Sequence, residues 1–249
     1  MPESFLFTMH EGVPRQGPGS TACTKKMFSF LPGLPEKPEI LDIGCGSGMQ
    51  TIDLARLSPE ACITAVDIYP AFLEKVNKRA IAAGFSDRIR TVQASMDGLP
   101  FFSKSFDLIW AEGSIFIMGV EPGIRYWKKF LKSVGFLGFT EATWFTSAPS
   151  DAVRSFWQEN YPAMKTVDEI KKIAGRAGYT STVNFPLPAS VWWADYYSPL
   201  LTRLPTLEHQ YKGNAEAEAI ISLTRQEIRL FEEYSGEYGY EFFLLKNKE

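Results

Sequence analysis

The sequence predicts an α/β fold, in which short buried strands alternate with amphipathic helices. Three observations predict it. Ile40 to Gln50, ILDIGCGSGMQ, runs a short apolar strand (Ile40, Leu41, Ile43) into a turn carrying Gly44, Gly46 and Gly48. A helix pattern follows at once through Ile52, Leu54, Ala55 and Leu57, and strand, glycine turn and helix make the first unit of a nucleotide-binding α/β sheet. Further apolar runs at 61–69, 90–95, 106–110 and 136–144 alternate with helix-period stretches. Finally, 249 residues with 45% hydrophobic and 14% aromatic content suffice for one large core, with aromatics left over for a pocket.

Residues 1–38 precede the first core strand. Phe5, Leu6, Phe7 and Met9 predict a short helix, and Thr21 to Phe30 a second, with the polar, glycine-bearing Arg15–Ser20 between them. That loop is either a lid over a ligand, with Arg15 and Gln16 offering charge and amide, or a link between two packing helices. LPGLPEKP then leads to the glycine-turn unit, whose helix start offers free N–H groups to a ligand.

The run at 61–69 is a second strand ending in Asp67, 19 residues beyond Gly48, where an acid in this fold accepts hydrogen bonds from ribose hydroxyls. Residues 70–83 form a helix opened by Pro70 and stopped by Gly84. Arg90–Ser95 is a third strand, and Phe106–Trp110 a fourth that ends in Ala111-Glu112-Gly113. A helix over 122–132 carries Trp127, Phe130 and Leu131 on one face and turns through Gly135 into a fifth strand, Phe136–Trp144. Two helices, Asp151–Tyr161 and Thr166–Ala177, lead to a strand at Thr180–Leu187, and the last strand is Tyr240–Lys246. Between these strands lie about fifty residues, far more than a hairpin needs. They predict two helices, the first with Trp192/Tyr196 and Trp193/Tyr197 as i,i+4 pairs and the second, Ala215–Tyr234, amphipathic through Ile220, Leu223, Ile228 and Phe231.

The glycine turn sorts the ligands. A dinucleotide fingerprint is G-x-G-x-x-G, but here Met49 stands where the third glycine belongs and the spacing is G-x-G-x-G. With Asp42 at the strand end, Leu41 to Gly48 resembles, residue for residue, motif I of the class I S-adenosylmethionine (SAM)-dependent methyltransferases, [LV]-D-[IVL]-G-C-G-x-G. Met96 to Phe101 resembles the family segment in which a carboxylate after the third strand precedes L-P-F. The resemblance covers about residues 39–145 and is nearest the ubiquinone/menaquinone-type (type 11) small-molecule group.

The resemblance implies a Rossmann-like, seven-stranded, mostly parallel sheet with helices on both faces and an antiparallel strand near one edge. Beyond residue 145 only the closing strand shares the resemblance, and the residues themselves predict what surrounds the core (39–187 and 238–249) of a single methyltransferase domain over 1–249: an N-terminal helical lid (1–38) and a helical cap insertion (188–237). SAM would be the cofactor and S-adenosylhomocysteine (SAH) its product. Arg15 and Gly17 would lie in the lid over it, and Gly44, Cys45, Gly46, Ser47 and Gly48 would form the turn beneath. Asp67 would take the ribose, Ile68 and Met96 the adenine face, and Ser95 and Asp97 the adenine edge. Glu112 would face cofactor and acceptor, with Trp192, Trp193, Tyr196 and Tyr197 around a small-molecule acceptor. If the nucleophile needs deprotonation, Glu112 or His209 is the candidate base.

Other classes are disfavoured. A formal charge of −3 gives no reason to expect nucleic acid, and Ala111-Glu112-Gly113-Ser114 lacks the N/D-P-P-Y/F tetrapeptide of nucleic-acid and protein methyltransferases. Cys23, Cys45 and Cys62, with His10 and His209, form no metal-ligand or disulfide pattern. No signal peptide or long apolar run is legible, which predicts a cytoplasmic protein without a membrane span; a homodimer is compatible with the sequence. Two alternatives share parts of the pattern: a non-catalytic SAM-binding regulatory protein, and a nicotinamide-dependent oxidoreductase, which Met49 argues against.

Overall fold

The computed structural model describes residues 5–248. Its strands are β1 (Glu39–Ile43), β2 (Cys62–Asp67), β3 (Ile89–Gln93), β4 (Phe106–Ala111), β5 (Leu131–Trp144), the two-residue β6 (Lys165–Thr166), β7 (Tyr179–Pro186) and β8 (Tyr238–Asn247). The sheet order is β3-β2-β1-β4-β5-β8-β7, with β6 paired to the end of β5. Strands β1 to β5 run parallel, and β8 lies antiparallel between β5 and β7. Seven strands therefore form the main path, as expected, and β6 adds a short eighth.

The helices are α1 (Phe5–His10), α2 (Thr21–Phe28), α3 (Met49–Leu57), α4 (Pro70–Ala83), α5 (Val120–Lys128), α6 (Asp151–Asn160), α7 (Val167–Arg176), α8 (Ser190–Trp192), α9 (Ser198–Gln210) and α10 (Ala215–Tyr234). They cover both faces because the central strands, such as β4, are buried on both. Leu41 and Ile43 of β1 join the core beneath α5 and α7, while Ile40, one residue out of phase, joins the core beneath α3 and α4. A third apolar cluster unites α1, α9 and α10 with Tyr238 of β8. The N-terminal helix and the long insertion thus pack on each other above one edge of the sheet. No described helix is long and apolar enough to cross a membrane.

Three local expectations need correction. The strand predicted from Phe136 begins at Leu131, because Leu131 already pairs with Phe106 before a register shift, and Val134 takes φ of 62° at that irregularity. The helix predicted over 122–132 is correspondingly Val120–Lys128. The aromatic stretch is not a plain α-helix either. Trp193–Tyr197 is a π-helical turn, which adds a residue to the winding and rotates the side chains after it. Trp192 consequently meets Tyr197 at 5.5 Å between ring centroids, so its expected pairing with Tyr196 is replaced.

Candidate functional site

The order of the sheet reverses between β1 and β4, the position where α/β sheets open a crevice at the carboxyl ends of their strands. A cavity of ≈ 640 Å³ lies there. One half is walled by the glycine turn after β1, the end of β2, the segment after β3, the end of β4 and the Arg15–Pro18 loop. The other half is walled by α1, α6, the π-helical turn, α10 and Tyr240 of β8.

In the first half, Asp67 ends β2 and accepts hydrogen bonds from Gly46 N–H and Tyr69 N–H, each at 2.9 Å. The two bonds fix the carboxylate against the glycine turn and leave it lone pairs for the cavity. Burial pushes its pKa up from the ordinary carboxylate value, and those backbone N–H groups pull in the other direction. Ile68 beside it is 56% exposed, a large apolar side chain presented to the cavity. Ser95 and Met96 line the same wall, with the Met96 carbonyl held by the Trp127 indole N–H at 3.0 Å.

The turn itself is less open than predicted. Its N–H groups are already engaged: Gly46 with Asp67, Ser47 with the Gln16 side-chain oxygen at 2.6 Å, and Gly48 with the Cys45 carbonyl at 3.0 Å. The Ser47 hydroxyl donates to the Pro14 carbonyl at 2.6 Å, so the N-terminal loop is fastened directly onto the turn. Beneath, Asp42 is wholly buried and accepts the Thr51 hydroxyl at 2.6 Å, pinning α3 to β1. Burial pushes its pKa up to about 7.

Glu112 closes the first half, but as one member of a buried network. Its Oε2 accepts from Arg15 Nη1 at 3.1 Å, and its Oε1 accepts from the Thr24 hydroxyl at 2.6 Å and the Trp110 indole N–H at 2.9 Å. Arg15 also reaches Asp53 at 3.4 Å, and Thr21 donates to the same Asp53 oxygen at 2.8 Å. This network joins the N-terminal segment to α3 and to the end of β4. Both oxygens of the carboxylate expected as a base are thus already engaged with protein donors. Arg15 Nε is buried without a hydrogen-bond partner, so the guanidinium keeps a spare donor.

Of the predicted cofactor residues, Arg15, Gly17, Gly44, Cys45, Gly46, Ser47, Asp67, Ile68, Ser95, Met96 and Glu112 line the cavity. Gly48 and Asp97 do not. At Gly48 a Cβ would stand 2.7 Å from the Val76 side chain, so this glycine serves the close approach of α3 and α4. Asp97 is exposed and accepts the Ser95 hydroxyl outside the wall, its position set by the tight turn at Gly98.

The second half corrects the aromatic prediction. Trp192 and Tyr196 line the cavity; Trp193 and Tyr197 do not. Tyr197 is wholly buried and donates to Glu227 Oε1 at 2.6 Å, while Trp192 stacks on Phe231 at 4.1 Å with its edge toward Tyr240. His209 sits in the exposed last turn of α9, away from the cavity wall, and is no base for it.

Sequence reasoning missed several groups here: His10, Trp157, Tyr161, Glu227 and Tyr240 line this half. Tyr240 marks the junction of the two halves, since a Cβ at Gly113 would stand 3.6 Å from its ring and 3.9 Å from its hydroxyl. The His10 Nδ1 lies 2.8 Å from the Leu6 carbonyl, which can only accept, so Nδ1 carries the proton and Nε2 is an acceptor without a partner. Burial lowers its pKa, keeping the imidazole neutral. Behind the wall, Glu141 of β5 is buried with neither oxygen in a hydrogen bond of ordinary geometry. Burial pushes it up to about 8, offset in part by the Tyr161 hydroxyl and the Ala142 N–H. No periodicity could have grouped these residues, which come from separate elements.

Comparison with known proteins agrees with this geometry. A methyltransferase-domain family model matches residues 40–135, the stretch from β1 into the start of β5. Over 96 residues the chain is 33% identical to 27-O-demethylrifamycin SV methyltransferase of Amycolatopsis mediterranei, covering 39% of this chain. The matched stretch spans only 35% of that enzyme's length. Two crystal structures of SAM-dependent methyltransferases in complex with SAH share the fold along nearly the whole chain. One, from Thiobacillus denitrificans, has TM-score 0.82 and 18% identity, with 98% of each chain covered. The other, from Geobacter sulfurreducens, has TM-score 0.81 and 19% identity, with 97% of each covered. The stretch that holds the glycine turn and the acid at the end of β2 is thus the one that matches the methyltransferase-domain family, at residues 40–135, and the whole chain shares the fold of the two SAH-bound structures.

Proposed function

We propose that the protein transfers a methyl group from SAM to a small-molecule acceptor. The observation that carries this reading is one continuous cavity: the glycine turn and Asp67 wall one end, an aromatic, largely apolar enclosure walls the other, and Tyr240 lies against Gly113 where they meet. The residues present fit the cofactor. Asp67 has lone pairs for the ribose hydroxyls, and Ile68 and Met96 offer apolar surface to the adenine. Arg15, with a buried and unpartnered Nε, offers a donor to the cofactor carboxylate.

SAM supplies an activated methyl on a sulfonium, so the chain's tasks are alignment and exclusion of water. Alignment falls to β4 and β8, whose ends bring Gly113 and Tyr240 together. Exclusion of water falls to α1 and the Arg15–Pro18 loop, fastened by Gln16 and Ser47 across the turn. An enclosed chamber of this size favours a small molecule over nucleic acid or a folded protein.

The test is a screen of metabolite extracts with methyl-labelled SAM, followed by mass spectrometry of small molecules. The reading expects label in a small product and release of SAH. Tight SAM binding with no labelled product in any extract would favour the regulatory alternative instead.

A further inference from the structure

The acceptor half of the cavity has an electrostatic character that its aromatic composition alone does not require. Glu227 of α10 reaches into it, held by the Tyr197 hydroxyl and in no ion pair among the described residues. A second carboxyl, Glu141 of β5, lies behind the wall, where burial pushes its pKa up to about 8, so that near neutral pH it stays a neutral polar group and Glu227 is the acid that faces this half. Among the described residues the cavity wall contains a single Lys or Arg, Arg15, which is committed to Asp53 and Glu112 in the other half. His10 is held neutral by burial. No positive charge is therefore available to an anionic acceptor, whereas carboxyl oxygens and ring faces abound.

From Glu227 and the surrounding rings of Tyr196, Tyr240, Trp192, Trp157 and Tyr161, we infer that the acceptor is an amine, bound as its ammonium ion between a carboxylate and aromatic faces; the ion would give its proton to the Glu227 carboxylate, and the freed nitrogen lone pair would take the methyl as the donor leaves as SAH. This names the acceptor class for the site proposed above and rests on that reading. A cation over an aromatic face is attracted by the ring quadrupole, most strongly where water is excluded. An unpaired carboxylate in a closed chamber is costly unless a positive charge meets it, so the ligand supplies the missing partner. Toward the mouth the wall turns apolar, with Phe116 43%, Ile117 64% and Leu223 39% exposed. The amine therefore carries an apolar body that covers these side chains while its nitrogen sits deeper, beside Tyr240 and Gly113.

The experiment compares binding of a matched pair that differs in one atom of the head group. Choline and 3,3-dimethylbutan-1-ol are titrated into the full-length protein, with and without saturating SAH; 3,3-dimethylbutanoate serves as the anionic control. Choline should bind about tenfold or more tightly than the neutral isostere, with the anion weakest. Glu227→Gln should remove most of that preference, and Tyr196→Leu, which leaves the carboxyl in place, should reduce it. SAH affinity measured on each variant reports whether the fold is intact. Equal binding of choline and the neutral alcohol, or an undiminished preference in a folded Glu227→Gln, would overturn the inference. SAH binding without any cation preference overturns it while leaving methyl transfer standing. A cation preference without SAH binding does the reverse.

Discussion

At the scale of single residues, the acids of this protein divide by what already holds them. Asp67 is fixed by two backbone N–H groups and still faces the cavity, so it can serve a ligand. Glu112 faces the same cavity but is spent on Arg15, Thr24 and Trp110, and removing it would leave Arg15 short of a partner in a dry site. Glu141 is the opposite case, a buried carboxyl with no cation beside it, which burial raises from 4.5 to about 8 against the smaller pull of the Tyr161 hydroxyl and the Ala142 N–H. Between those values the folded state holds a proton that the unfolded chain releases. Its contribution to stability is therefore complete below about 4.5 and is lost as pH rises toward about 8. Glu141→Gln should accordingly gain stability relative to the wild type across that window, by at most about 1.4 kcal/mol per pH unit for one proton. Asp42 also titrates in this range but is common to both proteins and cancels in the difference. Urea denaturation at several pH values checks this, and parallel curves for the two proteins would show that Glu141 is ionised in the fold.

At the scale of elements, the N-terminal segment and the long insertion act on one cavity from opposite sides. We propose that residues 5–25 form a lid. Gln16 and Pro14 bind Ser47 of the glycine turn, Arg15 spans Asp53 and Glu112, and α1 contributes Phe7 and His10 to the wall. A ligand beneath this segment should slow amide hydrogen exchange in residues 5–25 when SAH is added. Exchange unchanged by SAH would reduce the segment to a packing element. In the insertion, the π-helical turn decides which aromatics serve the cavity. Tyr197 goes into the core, where it keeps its expected contact with Trp193 at 5.6 Å and also meets Trp192 in place of Tyr196, and Tyr196 goes onto the wall.

At the scale of the whole molecule, the glycine-turn half of the cavity was legible in the sequence, and of the other half only Trp192 and Tyr196 were. Ile40 to Gln50 and Asp67 belong to one strand–turn–helix–strand unit, so their spacing alone places them together. His10, Tyr161, Glu227 and Tyr240 meet only after the chain has folded through α1, α6, α10 and β8, and nothing local distinguishes them from core residues. Gly48 and Asp97, expected from the glycine spacing and from the family resemblance, stand off the cavity wall, Gly48 against Val76 and Asp97 at the Gly98 turn. The central claim is that the β1–β4 crevice binds SAM or its product through Asp67. Isothermal titration calorimetry with SAH and NAD on the wild type and Asp67→Ala tests it most directly. SAH should bind the wild type and lose on the order of 1.5–3 kcal/mol in the variant, the usual worth of hydrogen bonds to a charged group, while NAD gives no binding heat. Unchanged SAH affinity in Asp67→Ala, or binding of NAD in place of SAH, would contradict the account.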